Sequence, residues 1–134
     1  MPIEHLNPDG LMKNPAFSQA VVVRGSHRTI YVGGQNALDG ATRSIVGVGD
    51  LRAQTRQAAK NVRTALAAGG AELAHLVKLT IYIVQGQDAA VAFAASQEEW
   101  GVLANQPSIT GLFVAGLAHP DFMIEIDAIA AVPE

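Results

Sequence analysis

Cysteine is absent from the 134 residues. A disulfide scaffold, a cysteine nucleophile and a thiolate metal site are therefore excluded, and a reducing compartment suits such a chain. Charge is also sparse: 16% of residues are charged and the formal net charge is −3. There is no Lys/Arg run and no basic patch interleaved with aromatics, so the concentrated basic face that nucleic acid requires is missing. No apolar stretch approaches the length of a membrane span. The opening residues MPIEHLNPDG have neither a charged leader nor an apolar core, unlike a signal peptide. Internal repeats, low-complexity tracts and linkers are lacking as well. The expectation is one domain over residues 1–134, in the cytoplasm, with no nucleic-acid or membrane partner.

What the chain does have is apolar content, at 49%. A chain this long buries roughly two-thirds of its unfolded surface on folding. Residues 1–18 hold Pro2, Pro8 and Pro15 and read as an extended arm with turns. Short strands are expected at Ala20 to Arg24 and Thr29 to Gly33, with His27 and Arg28 in the turn between them. Leu38 to Gly49 carries Gly40, Gly47 and Gly49 and reads as a loop or a short hairpin. Asp50 is a helix N-cap, and Leu51, Thr55, Ala58, Val62 and Leu66 follow as one apolar stripe that stops at Gly69-Gly70. Leu76 to Val84 alternates, with Val77, Leu79, Ile81 and Ile83 on one face and Lys78, Thr80 and Tyr82 on the other. Asp88 caps a second helix that runs to about Trp100. Ser108 to Ala115 and Met123 to Val132 are the last strands. The order β-β-α-β-α-β-β predicts an α+β fold, with one mixed sheet and both helices on a single face. Leu112, Phe113 and Val114 are apolar on both faces of their strand, so the uncovered face calls for a partner copy.

Few residues offer chemistry. Glu125 and Asp127 share one face of the last strand, opposite Ile124, Ile126, Ala128 and Ala130. Two acids in so apolar a strand either activate water or shuttle a proton, or they sit on a solvated face paired with Lys78 or an arginine. Gly33-Gly34-Gln35 ends a strand and lets backbone approach a ligand, or is a plain turn. His5, His27, His75 and His119 lack the spacing of a metal site and read as exposed loop residues. Ser18, Ser26, Ser96 and Ser108 have no nucleophile-elbow context. Phe93 and Trp100, seven apart on the second helix, read as core.

Several stretches taken together resemble the Rid/YjgF (reactive intermediate deaminase) family. Pro15-Ala16-Phe17-Ser18-Gln19-Ala20 is similar to its Gly-Pro-Tyr-Ser-Gln-Ala motif, and Gly33-Gly34-Gln35 to its Ser-Gly-Gln. Asp50…Gln54…Asn61, the strand Val77-Lys78-Leu79-Thr80-Ile81-Tyr82 and the ending Ile124-Glu125-Ile126-Asp127-Ala128-Ile129-Ala130 follow in the same order. The resemblance implies a chorismate-mutase-like fold and a homotrimer, with three sheets around a barrel-like centre. Small-molecule sites would lie in the clefts between subunits. The implied activity is hydrolysis of 2-imino acids to 2-keto acids and ammonia, without metal or cofactor. In the family an arginine holds the substrate carboxylate by a bidentate pair, and a glutamate positions the attacking water.

Carried over residue by residue, the glutamate falls on Glu125 and the glycine-glutamine backbone feature on Gly34 and Gln35. The arginine position is Ile109, between Ser108 and Thr110. The tyrosine becomes Phe17, the serine becomes Gly33, and an asparagine of the second helix becomes Phe93. Each change removes a polar group from the expected cleft. A buried contact to a charged group is worth about 1.5–3 kcal/mol, so Ile109 argues against an imino acid as substrate. The resulting expectation is a deaminase-type hydrolase of altered specificity, with Glu125 as its acid/base. The alternative is a non-catalytic trimer that binds a small molecule or another protein. A ribonuclease, the third option, is the reading least compatible with the acidic charge.

Overall fold

The computed structural model describes residues 2–134. In chain order its elements are β1 (Ile3–Leu6), β2 (Ala20–Val23), β3 (His27–Gln35), α1 (Leu51–Ala68), a single 3-10 turn at Leu73–His75, β4 (Leu76–Val84), α2 (Ala89–Trp100), β5 (Ser108–Val114) and β6 (Ile124–Pro133). The main sheet has the order β3-β6-β4-β5, and a separate two-stranded sheet pairs β1 with β2. β6 is antiparallel to both β3 and β4, whereas β5 runs parallel to β4. A parallel pair needs a crossover, and α2 supplies it.

Both helices begin as their caps dictate. The Asp50 carboxylate accepts from the Ala53 amide at 3.1 Å, and Asp88 accepts from the Ala90 amide at 2.9 Å. These contacts satisfy amides that have no partner inside the helix. The α1 stripe is buried as its spacing predicts, with Ala58, Val62 and Leu66 fully inaccessible. It packs on Leu76, Leu79 and Ile83 of β4 and on Ile124, Ile126, Ala128 and Ala130 of β6. Glu125 and Asp127 are thereby set on the opposite, uncovered face.

Four details differ from the sequence expectation. The N-terminal arm contains a strand, since Ile3 to Leu6 pairs antiparallel with Ala20 to Val23. β2 and β3 form no opening hairpin, because β2 pairs with β1 and β3 with β6. His27 and Arg28 open β3 rather than forming a turn. Finally, the β4–β6 register shifts between Leu76 and Lys78. That irregularity places Leu76, 1% exposed, in the core in place of Val77, as an inserted residue reverses the facing of what precedes it.

Candidate functional site

Glu125 occupies a built position. Its register partner across the strand pair is Tyr82, and the Asn36 side-chain amide donates to its Oε1 at 3.1 Å. Asn36 is itself anchored twice. Its side chain also donates to the Ile124 carbonyl at 3.3 Å, and its own carbonyl accepts from Asn61 of α1 at 3.0 Å. Helix α1 thus reaches the carboxylate through one loop residue. Room for the carboxylate comes from Gly34. The β3–β6 register shifts between Val32 and Gln35, so Gly33 and Gly34 bulge opposite Asp127. A Cβ on Gly34 would lie 2.3 Å from Glu125 Oε2. The glycine is there because a side chain would take the space of the acid.

Asp127 lies on the same face and accepts from the Tyr82 hydroxyl at 3.0 Å. Neither acid has a basic partner among the described residues. Lys78, the cation that sequence alone offered them, donates instead to Thr110 at 2.7 Å. The hydrogen bond to Asp127 holds the Tyr82 phenol above its usual range, with desolvation and the charges of Asp127 and Glu125 adding to the effect. Because the folded value is raised, the bond contributes to stability while the phenol is neutral and is lost as pH rises through that folded value. A spectrophotometric titration of the tyrosines is expected to show one late step that Tyr82→Phe removes. If the step that Tyr82→Phe removes came no later than the step that remains, the Tyr82–Asp127 bond would be contradicted.

On the other side of the sheet a cavity of about 300 Å³ separates α2 from β4 and β5. Phe17, Phe93 and Ile109 line it, with Leu79, Ile81 and Trp100 behind them. The cavity exists because α2 presents small residues to the sheet; its two buried positions are Ala92 and Ala95. No Lys, Arg, Asp, Glu or His contributes to the lining. Ile109 faces this way because it is the register partner of Leu79, a core residue.

The residues singled out from the sequence therefore fall into two groups. Phe17, Phe93 and Ile109 share the apolar cavity. Glu125 and Gly34, with Gly33 in the bulge, belong to the uncovered face, as does Thr110. Gln35 ends β3, its side chain donating back to the Gly33 carbonyl at 3.2 Å. Ser108 donates to the Val77 carbonyl at 3.3 Å and does not line the cavity. Within one chain the sheet stands between Glu125 and Ile109. Asn36 and Asn61 were missed as positioning residues. The only signal was the place of Asn61 in the spacing that starts at Asp50. His5, read as an exposed loop residue, instead lies on β1 with its Nε2 buried and unpartnered. No group of three His, Asp or Glu side chains among the described residues is arranged to hold a metal, and no helix there is long and apolar enough to cross a membrane.

Residues 11–132 match the profile of the family described as Endoribonuclease L-PSP. A RutC family protein of Pyrococcus horikoshii is 34% identical over 114 residues, 85% of each chain. A Rattus norvegicus protein named 2-iminobutanoate/2-iminopropanoate deaminase is 34% identical over 117 residues, 86% of this chain and 79% of that one. The crystal structure of a protein of unknown function of the conserved Rid family from Yersinia pestis superposes with a TM-score of 0.85. It is 31% identical, covering 98% of this chain and all of the other.

Proposed function

The chain belongs to the Rid/YjgF family, and from that premise we propose that it hydrolyses C=N bonds in small, uncharged imines or enamines rather than in imino acids. The observation that carries this reading is the lining of the cavity around Ile109, which is apolar and holds no cation. An imino-acid carboxylate entering it would lose its hydration and find no partner, and burying an unpaired charge is costly. An uncharged imine avoids that penalty. The deaminase name of the rat relative supports the reaction class.

The chemistry requires little of the protein. Water adds through oxygen to the imine carbon while its proton passes to Glu125. Glu125 returns the proton to nitrogen to give the carbinolamine, then carries the hydroxyl proton to the same nitrogen as the C–N bond breaks, so that ammonia leaves as the carbonyl forms. No cofactor or metal is needed for these steps. Because the sheet separates Glu125 from the cavity, the reading also requires a neighbouring copy, which the homotrimer implied by the family resemblance would supply. In it the uncovered face of one copy brings Glu125 to the cavity mouth of the next, and the ligand lies between subunits. The same separation favours one alternative. A copy whose Glu125 met no neighbouring cavity would be a small-molecule binder without catalysis, or would serve as an interaction trimer.

The test is ammonia release from two kinds of imine made in situ, imino acids from an amino-acid oxidase and uncharged imines from an amine oxidase. The wild type is expected to prefer the uncharged imine. Ile109→Arg is expected to move the preference toward the imino acid by roughly 10- to 100-fold, the size of one charged contact. Wild-type activity on imino acids equal to that of the rat relative would overturn the reading, and so would an unchanged preference in Ile109→Arg.

A further inference from the structure

A second pocket, of about 220 Å³, adjoins the apolar cavity and shares Phe17, Leu103 and Gln106 with it. Its character is the reverse. His5, Asn7, Asn14, Ser18 and Asn105 supply most of its polar lining, again with no Lys, Arg, Asp or Glu. The pocket forms because the arm is stitched to the start of β5. The Ser18 amide donates to the Pro107 carbonyl at 3.0 Å, and the Ser18 hydroxyl donates to the Gln106 carbonyl at 2.6 Å.

Its hydrogen-bonding capacity is one-sided. Asn7 Oδ1 accepts from the Gln19 amide at 3.2 Å, and Asn14 Oδ1 accepts from the Ala16 amide at 2.8 Å. Backbone N–H groups thus fix which way each side-chain amide points. Neither NH2 group donates to any described residue. His5 Nε2 is buried with no partner, although buried polar atoms are almost always paired. The pocket therefore holds two spare side-chain NH2 donors beside an apolar chamber, which His5 Nε2 joins in its N–H tautomer, and no fixed charge.

We propose that this pocket binds a neutral carbonyl-type oxygen on a ligand whose apolar body fills the cavity beyond Phe17. Recognition of the polar end thereby moves from position 109 to His5, Asn7 and Asn14. The proposal rests on the cavity being the ligand chamber, but not on hydrolysis. A 150 Å³ apolar cavity accepts benzene, so a chamber of about 300 Å³ has space for a bicyclic body. A neutral acceptor suits the lining because a carboxylate would be buried without a fixed cation.

The experiment is equilibrium binding to the full-length protein, read by naphthalene fluorescence or calorimetry, with three probes of one shape: 2-acetylnaphthalene, 2-ethylnaphthalene and 2-naphthoate. The ketone is expected to bind roughly tenfold tighter than the hydrocarbon, the size of one or two neutral hydrogen bonds, and tighter than the carboxylate. Asn7→Asp and Asn14→Asp keep the oxygen that caps the backbone amide and lose the NH2 donor. These variants and His5→Leu should each compress the ketone-to-hydrocarbon ratio toward one. Equal binding of ketone and hydrocarbon by the wild type would overturn the proposal and leave the uncharged-imine reading standing. A ratio untouched by all three substitutions would do the same, whereas a wild-type preference for the carboxylate would overturn both the proposal and the uncharged-imine reading. Failure of every probe to bind would remove the chamber itself, whereas binding as expected with no ammonia release would remove hydrolysis alone.

Discussion

Replacing Gly34 by alanine is expected to lower turnover by about 10²- to 10⁴-fold, the usual contribution of a positioned acid or base, while costing about 1 kcal/mol of stability or less. The Cβ would stand 2.3 Å from Glu125 Oε2, 2.7 Å from its Cδ and 3.1 Å from its Cγ. All three atoms belong to one flexible side chain, so the protein can relieve the clash by swinging that side chain away. The relief breaks the 3.1 Å hydrogen bond from Asn36 and moves the carboxylate from the place that α1, through Asn61 and Asn36, has prepared. Glu125→Gln should lose a similar factor for another reason, since it keeps the shape but cannot carry a proton. Gly40→Ala, in open space on a loop, is the control. Turnover of Gly34→Ala within tenfold of wild type would mean that the carboxylate acts from some other position. A Gly34→Ala protein that melts well below the wild type would mean that the bulge serves packing.

What was legible in the sequence is what rests on a short period. The α1 stripe from Leu51 to Leu66 and the alternation from Ile124 to Ala130 each fix a face by spacing alone, and both faces are buried as read. The acids of β6 were placed correctly for the same reason. Features that depend on distant partners were not legible. Ile3 to Leu6 is four residues among prolines and glycine, and it becomes a strand only because Ala20 to Val23 lies beside it. The register shift at Val77 is invisible to a period-two reading, because it is β6 that imposes it. The division of the candidate residues between two faces of the sheet was hidden for a related reason. Motif positions such as Ile109 and Glu125 were pictured as one cleft, but the side each faces follows from the β4 pairings of Leu79 with Ile109 and Tyr82 with Glu125. Gln54 stands in the Asp50…Gln54…Asn61 pattern, but its bridging role was not legible, because its partners at Asp121 and Met123 lie far along the chain.

Gln54→Ala is expected to destabilise the fold by about 3–5 kcal/mol, from two orphaned hydrogen-bonding groups and a cavity. That is a large part of the roughly 5–15 kcal/mol available to a domain of this kind. Gln54 is fully buried in the first turns of α1. Its Nε2 donates to the Asp121 carbonyl at 2.8 Å, and its Oε1 accepts from the Met123 amide at 2.9 Å. One side chain thus satisfies two backbone groups of the segment that leads into β6. In denaturant unfolding the midpoint should fall with an unchanged slope. Gln54→Met keeps the volume and loses both bonds, so the difference between the two variants separates the cavity from the hydrogen bonds. A loss below about 1 kcal/mol in Gln54→Ala would show that the segment is held by its apolar contacts, since an unsatisfied buried group alone costs that much. The consequence for the site follows from position in the chain. Met123 immediately precedes the strand that presents Glu125, so loosening it should cost turnover per folded molecule as well as stability. Leu66→Ala is the comparison. Leu66 is equally buried at the far end of α1, and its truncation should cost about 2–5 kcal/mol. It takes no part in the hydrogen bonds of the Asn61–Asn36–Glu125 chain, so turnover per folded molecule should hold. If the two variants lose stability and turnover in the same proportion, the bridge made by Gln54 has no special bearing on Glu125.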